Sequence, residues 1–74
     1  MKKKRSIVFY ENHFHDFFIK QNQKVKDKII WTLGLLEELD RIPDTYLKFI
    51  KNTKGLYEIR VQQGNDIFRI FCFF

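Results

Sequence analysis

Residues 51–74, KNTKGLYEIRVQQGNDIFRIFCFF, decide the fold of this chain. Gly64-Asn65 lies between two runs rich in β-branched and aromatic residues, a strong local signal for a hairpin with a two-residue turn. Counting outward from that turn sets Gln63 opposite Asp66, Val61 opposite Phe68, Ile59 opposite Ile70 and Tyr57 opposite Cys72. Side chains alternate along a strand, so Tyr57, Ile59, Val61, Phe68, Ile70 and Cys72 share one apolar side. The same register sets Arg60 against Arg69 on the other side, with Glu58 opposite Phe71 and Gln62 opposite Ile67. Like charges directly opposed destabilise a sheet, so this pair is either neutralised by Glu58 or held ready for an anion. A purely structural ion pair and an anion site both remain open on this pattern, because ion-pair networks also gather charges.

Upstream, Asn52-Thr53-Lys54-Gly55 reads as a turn, and Tyr46 to Lys51 mixes apolar and cationic residues without a clear conformation. Pro43 biases Ile42 away from the helical region and closes the helical part of the chain. Before it, Asn22 is placed to cap a helix whose Val25, Ile29, Leu33 and Leu36 recur at helical spacing, with Ile30, Trp31 and Leu39 widening the stripe. Lys24, Lys26 and Lys28 decorate its start, where the helix dipole disfavours cations; a solvated face is the plain reading. A shorter helix follows Asn12 as its cap and carries Phe14, Phe17 and Phe18 on one stripe. His13 and His15 flank that stripe, point to different faces and cannot chelate a metal together. Ser6 to Tyr10 reads as a strand. The expected architecture is α+β: an N-terminal strand, a two-helix hairpin, an irregular segment and an antiparallel β-hairpin. The helices cover the hairpin's apolar side, and residues 1–74 form a single domain.

At 74 residues the chain sits near the lower size limit for a self-supporting core, and nothing in it acts as a staple. Nine Phe supply the bulky burial so small a fold needs. Cys72 is the lone cysteine, read as a small core hydrophobe in a reducing, cytosolic setting. No Cys/His spacing suits a metal, and no cofactor is expected. The apolar run behind the basic head Met1 to Arg5 is too short for a signal peptide, and no window is long enough for a membrane helix. The head reads as a solvated start to the first strand. A net charge of +5 and a pI near 9.5 point to a polyanionic or acidic partner.

Gly55-Leu56-Tyr57-Glu58-Ile59-Arg60-Val61, its lead-in with Lys48 and Lys51, and Phe68-Arg69-Ile70-Phe71 resemble the signature of RelE/HigB-type toxins of bacterial toxin-antitoxin modules. More narrowly they are similar to the phage-derived branch of that superfamily. The resemblance implies a RelE-like microbial ribonuclease fold and a toxin of a type II module. Such a toxin is a ribosome-associated endoribonuclease, an mRNA interferase that cleaves messenger RNA in the ribosomal A site and blocks translation in the cytoplasm. A helix-turn-helix antitoxin would silence it. On the resemblance, Arg60 and Arg69 are the catalytic residues that bind the scissile phosphate. Lys48, Lys51 and Lys54 hold flanking RNA backbone or help move a proton.

Cations suit this chemistry because attack by a 2′-hydroxyl builds negative charge on phosphorus oxygens, and arginine's planar fork matches those oxygens. Proteins of the resembled type continue past the position of Phe74 with a further apolar strand, a Gly-Phe-x-Lys-Lys-like segment and a C-terminal helix. The expectation is therefore a C-terminally truncated, incomplete toxin domain. Phe73-Phe74 would then form an exposed strand edge that pairs with another chain, as in a homo-oligomer. The alternative is a non-catalytic fragment or remnant that binds RNA or an antitoxin. Single-stranded RNA binders offer exposed aromatics between basic residues, and the hairpin alone places only Phe71 and Phe73 on the arginine face.

Overall fold

The computed structural model describes residues 4–10 and 13–74. Its centre is the hairpin of β3 (Tyr57–Gln63) and β4 (Asp66–Phe73), paired in the expected register from Tyr57↔Cys72 to Gln63↔Asp66. Gly64 takes a positive φ of 63° while Asn65 does not, which is the demand of a type II′ turn with glycine first. Ile59, Val61, Ile70 and Cys72 are buried on the inner side, with Tyr57 and Phe68 packed at its margin. Full burial of a large aliphatic side chain stabilises by about 1.5–3 kcal/mol, so this row holds the register firmly.

The segment left without a conformation by its sequence is a strand. β2 (Leu47–Phe49) pairs antiparallel with β3, setting Leu47 against Ile59, Lys48 against Glu58 and Phe49 against Tyr57. Its connection to β3 is the expected turn, with Asn52 (φ 64°) and Gly55 (φ 93°) both left-handed. Thr53 ties it together: its hydroxyl donates to the Ile50 carbonyl at 2.6 Å and accepts from the Leu56 N–H at 3.1 Å.

β1 (Val8–Phe9) completes the sheet by pairing with the end of β4, Val8 against Phe73 and Phe9 against Cys72, giving the order β1-β4-β3-β2. This corrects the expectation of an exposed edge at Phe73. Cys72 has a strand on each side, and the β1 side of Phe73 is taken up by Val8 within the chain.

The inner face is covered by α1 (Phe14–Ile19) and α2 (Gln23–Glu38). Phe14, Phe17 and Phe18 pack on the core as their spacing predicts, while the Asn12 cap lies outside the described residues. Asn22 does cap α2, its side chain accepting from the Val25 N–H at 2.9 Å. Val25, Ile29 and Leu36 of the expected stripe are buried and Leu33 packs against the core beside them, with Thr32 buried as well. Thr32 joins that stripe, its hydroxyl satisfied by donating to the Lys28 carbonyl at 2.8 Å. Ile30 and Trp31 are half-exposed and do not widen the core stripe. Lys26 and Lys28 lie over the Phe18 and Trp31 rings, which offsets the unfavourable dipole at their positions.

α2 stops at Glu38, before the break expected at Pro43, and the reason is upstream in the chain. Arg5 donates to the carbonyls of Leu36, Leu39 and Asp40, and Lys4 pairs with the Asp40 carboxylate at 3.3 Å. Carbonyls left over at a helix end are thus met by a guanidinium whose charge also suits the dipole. The described part of the basic head is therefore a helix cap, not a solvated tail.

Arg5→Ala is expected to lower the urea-unfolding free energy by about 1–3 kcal/mol, because charge-assisted bonds to otherwise orphaned carbonyls are lost. Arg5→Lys recovers only part of that, since one ammonium cannot span the same acceptors. Burial pushes the Cys72 thiol from its usual 9.0 up to about 11. The native state keeps the proton that the unfolded chain releases first, so this contribution to stability is complete below pH 9 and is lost as pH rises toward 11. A thiol-reactive disulfide reagent at pH 8 should leave folded protein unmodified and label it fully in denaturant.

Candidate anion-binding face of the sheet

The backbone hydrogen bonds of β3 explain how close its arginine comes to that of β4. Arg60 donates its N–H to the Tyr46 carbonyl beside β2 at 2.8 Å, and the Phe71 carbonyl accepts from Tyr10 beyond β1 at 2.9 Å. Residues two apart direct their peptide groups to the same side, so the facing pair Arg60↔Arg69 exchanges no ladder bonds. Pairs of that kind have the shorter Cα separation, about 4.5 Å, and their side chains stand closest. Two guanidinium groups are thereby forced together on the face turned away from the helices.

Glu58 mediates between them. Its Oε1 lies 2.8 Å from the Nε of Arg60, in a true hydrogen bond, and 3.7 Å from the Nε of Arg69, a looser diagonal contact. The carboxylate is nearly covered, with 12% of its side chain exposed, whereas Arg60 keeps 37% and Arg69 keeps 55% in solvent. Two cations share one carboxylate, and the cluster retains a net positive charge with hydrogen-bond donors free to face water.

Lys48 opposes Glu58 in the register and so borders the same cluster. Lys51 and Lys54 do not join it: both are exposed on the turn before β3. They sit at least about 10 Å from Arg60 by the strand rise. Arg60, Arg69 and Lys48 are thus brought together, and the other two cations lie at one end of the sheet.

β1 adds what the hairpin alone concealed. Its register places Val8 and Tyr10 on the arginine face beside Phe73 and Phe71, and the Tyr10 and Phe73 rings approach to 5.8 Å. A cleft of about 340 Å³ opens between the start of α1 and β4, lined by Tyr10, His13, Phe14, Phe17, Arg69 and Phe71 among others. Tyr10 and His13 escaped sequence reading for a physical reason. A strand of two residues carries almost no periodic signal, and the cleft that His13 and Arg69 both line joins residues more than fifty positions apart in the chain. Among the described residues no three His, Cys, Asp or Glu side chains gather as metal ligands would, and no helix is long and apolar enough to cross a membrane.

A family model described as phage derived protein Gp49-like (DUF891) matches residues 16–74, which take in α2, the hairpin and every member of the arginine cluster. No curated protein and no solved structure matches the chain.

Glu58→Gln removes the charge that holds two opposed guanidiniums together. At low ionic strength the variant should lose up to about 1 kcal/mol of stability, the usual scale for half-exposed ion pairs. Added sodium sulfate should raise its melting temperature more than that of the wild type, because screening and anion binding replace the missing carboxylate. Equal responses of the two proteins to sulfate would show that the pair does not receive anions.

Proposed function

The chain belongs to the phage-derived Gp49-like family, which is associated with toxin-antitoxin systems, and from that premise we propose that it is a RelE/HigB-type toxin acting as a ribosome-associated messenger RNA endonuclease. The observation that carries this reading is the opposed, half-exposed pair Arg60 and Arg69, which one carboxylate neutralises only in part. When a 2′-hydroxyl attacks the adjoining phosphorus, charge grows on the non-bridging oxygens. Two guanidiniums already fixed in place stabilise it without reorganising. Glu58 orients the pair in the resting state, and an incoming phosphate takes over the looser contact with Arg69.

Lys48 extends the positive face along the sheet, and Lys51 and Lys54 meet RNA backbone farther out. Their contribution is long-range attraction that weakens with salt. The reading places the protein in the cytoplasm, where translating ribosomes are, and gives it a helix-turn-helix antitoxin that covers the arginine face until the module is released. A second reading, a module that holds RNA without cutting it, is favoured by the Glu58 contacts to both arginines, which lower the charge left for catalysis.

Controlled expression in a bacterial host separates the two. The wild type is expected to arrest growth and to produce cleaved messenger RNA in ribosome-bound fractions. Arg60→Ala combined with Arg69→Ala should abolish both while leaving the circular dichroism spectrum unchanged. RNA bound without new 5′ ends would support the non-catalytic module, and growth arrest indifferent to both substitutions would remove the arginines from the site.

A further inference from the structure

We propose that the cleft between the start of α1 and β4 is a slot for one unpaired nucleobase, filled when the neighbouring phosphate of a single-stranded RNA rests on Arg60 and Arg69. The inference deepens the RNA reading above and rests on it.

Arg69 belongs to two places at once. Its guanidinium contacts Glu58 on the open sheet face, and the residue is also one of those that line the cleft. A polymer whose phosphate sits at the arginine pair therefore has its next substituent at the cleft mouth. The cleft's about 340 Å³ falls at the small end of the range for ligand pockets, suited to a single ring system and not to a folded peptide element.

Its walls are chosen for a flat π-surface. Phe14 and Phe17 form the half-buried floor, held by ring contacts to Phe9, Phe18 and Phe68, so the floor is rigid before anything binds. Tyr10 and Phe71 stand at the mouth with 53% and 41% of their surface in solvent. Their exposed faces can take a stacking partner, and the Tyr10 ring is already steadied by its contact with Phe73. Polar groups of the lining include the Tyr10 hydroxyl, which can meet the hydrogen-bonding edge of a base, and Arg69. The alternation that sends the Phe71 carbonyl to Tyr10 also turns the peptide groups of Arg69 toward this side. An acyl chain would make no use of the neighbouring cations, and a simple anion would make no use of the aromatic walls. A nucleotide uses both halves: its base takes the aromatic slot and its phosphate the cationic lip.

The test uses the full chain and two fluorescently labelled probes of equal length and charge, an oligouridylate and its abasic counterpart, measured by anisotropy. The wild type is expected to bind the base-bearing probe about 10-fold tighter, as one stacked base would give. Phe71→Ala and Tyr10→Ala, both at exposed positions that the core does not need, should each bring that preference close to unity while affinity for the abasic probe stays unchanged. Arg69→Ala should weaken both probes. If the oligouridylate binds and its preference over the abasic probe is absent or survives both aromatic substitutions, the slot is refuted while the RNA reading stands. If neither probe binds, both fall. An acidic aromatic peptide that shifts the Tyr10 and Phe71 ring resonances, where oligouridylate leaves them unmoved, would assign the cleft to a protein partner and overturn the proposal.

Discussion

Everything on the outer face of this protein follows from the register of β3 against β4. A strand has a side-chain period of two, so the pairing that buries Ile59, Val61, Ile70 and Cys72 leaves no freedom for Arg60 and Arg69, which must meet on the opposite side. Sliding the pairing by one residue would expose that apolar row and bury the arginines. Each buried aliphatic contributes about 1.5–3 kcal/mol, against a repulsion between half-exposed charges of no more than about 1 kcal/mol, so the core dictates and the charges comply. The type II′ turn at Gly64 fixes the same register from its other end.

Glu58 is the local answer to that constraint. It lies two residues from Arg60 on the same strand and diagonally across from Arg69, a position from which one carboxylate reaches both. Because it is nearly covered while the arginines are not, the negative charge is withdrawn from solvent and the positive charge is presented to it. The electrostatic sign of the face therefore comes less from the number of cations than from which groups are buried. A phosphate approaching from solvent meets guanidinium edges first.

The hairpin was legible because each of its determinants is local: a Gly-Asn turn, alternation on both strands, and counting from the turn. The Asn22 cap was legible for the same reason. What was hidden depends on long-range partners. β2 carries no decisive pattern of its own and becomes a strand because the edge of β3 offers it hydrogen bonds. β1 is too short for periodicity and is defined by β4, which also explains why Phe73 looked like an open edge when only the hairpin was considered. Arg5 reads as one more charge in a basic head, and its work at the end of α2 comes from residues more than thirty positions away. In α2 the buried stripe was legible and only Thr32 within it was not. A threonine that can satisfy its own hydroxyl against the preceding turn is acceptable at a buried position, and polarity alone does not reveal that. The pairing of Arg60 with Arg69 was thus readable, but the aromatic neighbourhood of Arg69 was not.

That neighbourhood changes what the arginine pair can do on the proposed reading. Charge alone attracts any polyanion, weakens with salt and does not distinguish one stretch of RNA from another. Rings at the mouth of a cleft act over a few ångströms, are insensitive to salt and respond to an unpaired base, which a duplex cannot offer without opening. Arg69 lies where the two kinds of interaction meet, and its contact with Glu58, at 3.7 Å against 2.8 Å for Arg60, is the looser of the two. Exchange of a carboxylate for a phosphate therefore begins at Arg69, on the side where a base can be held. Arg60 stays anchored, so the pair keeps its geometry while its partner changes. Preorganisation of that kind is what electrostatic catalysis requires, because donors that must first be gathered would lose much of the stabilisation they give the transition state.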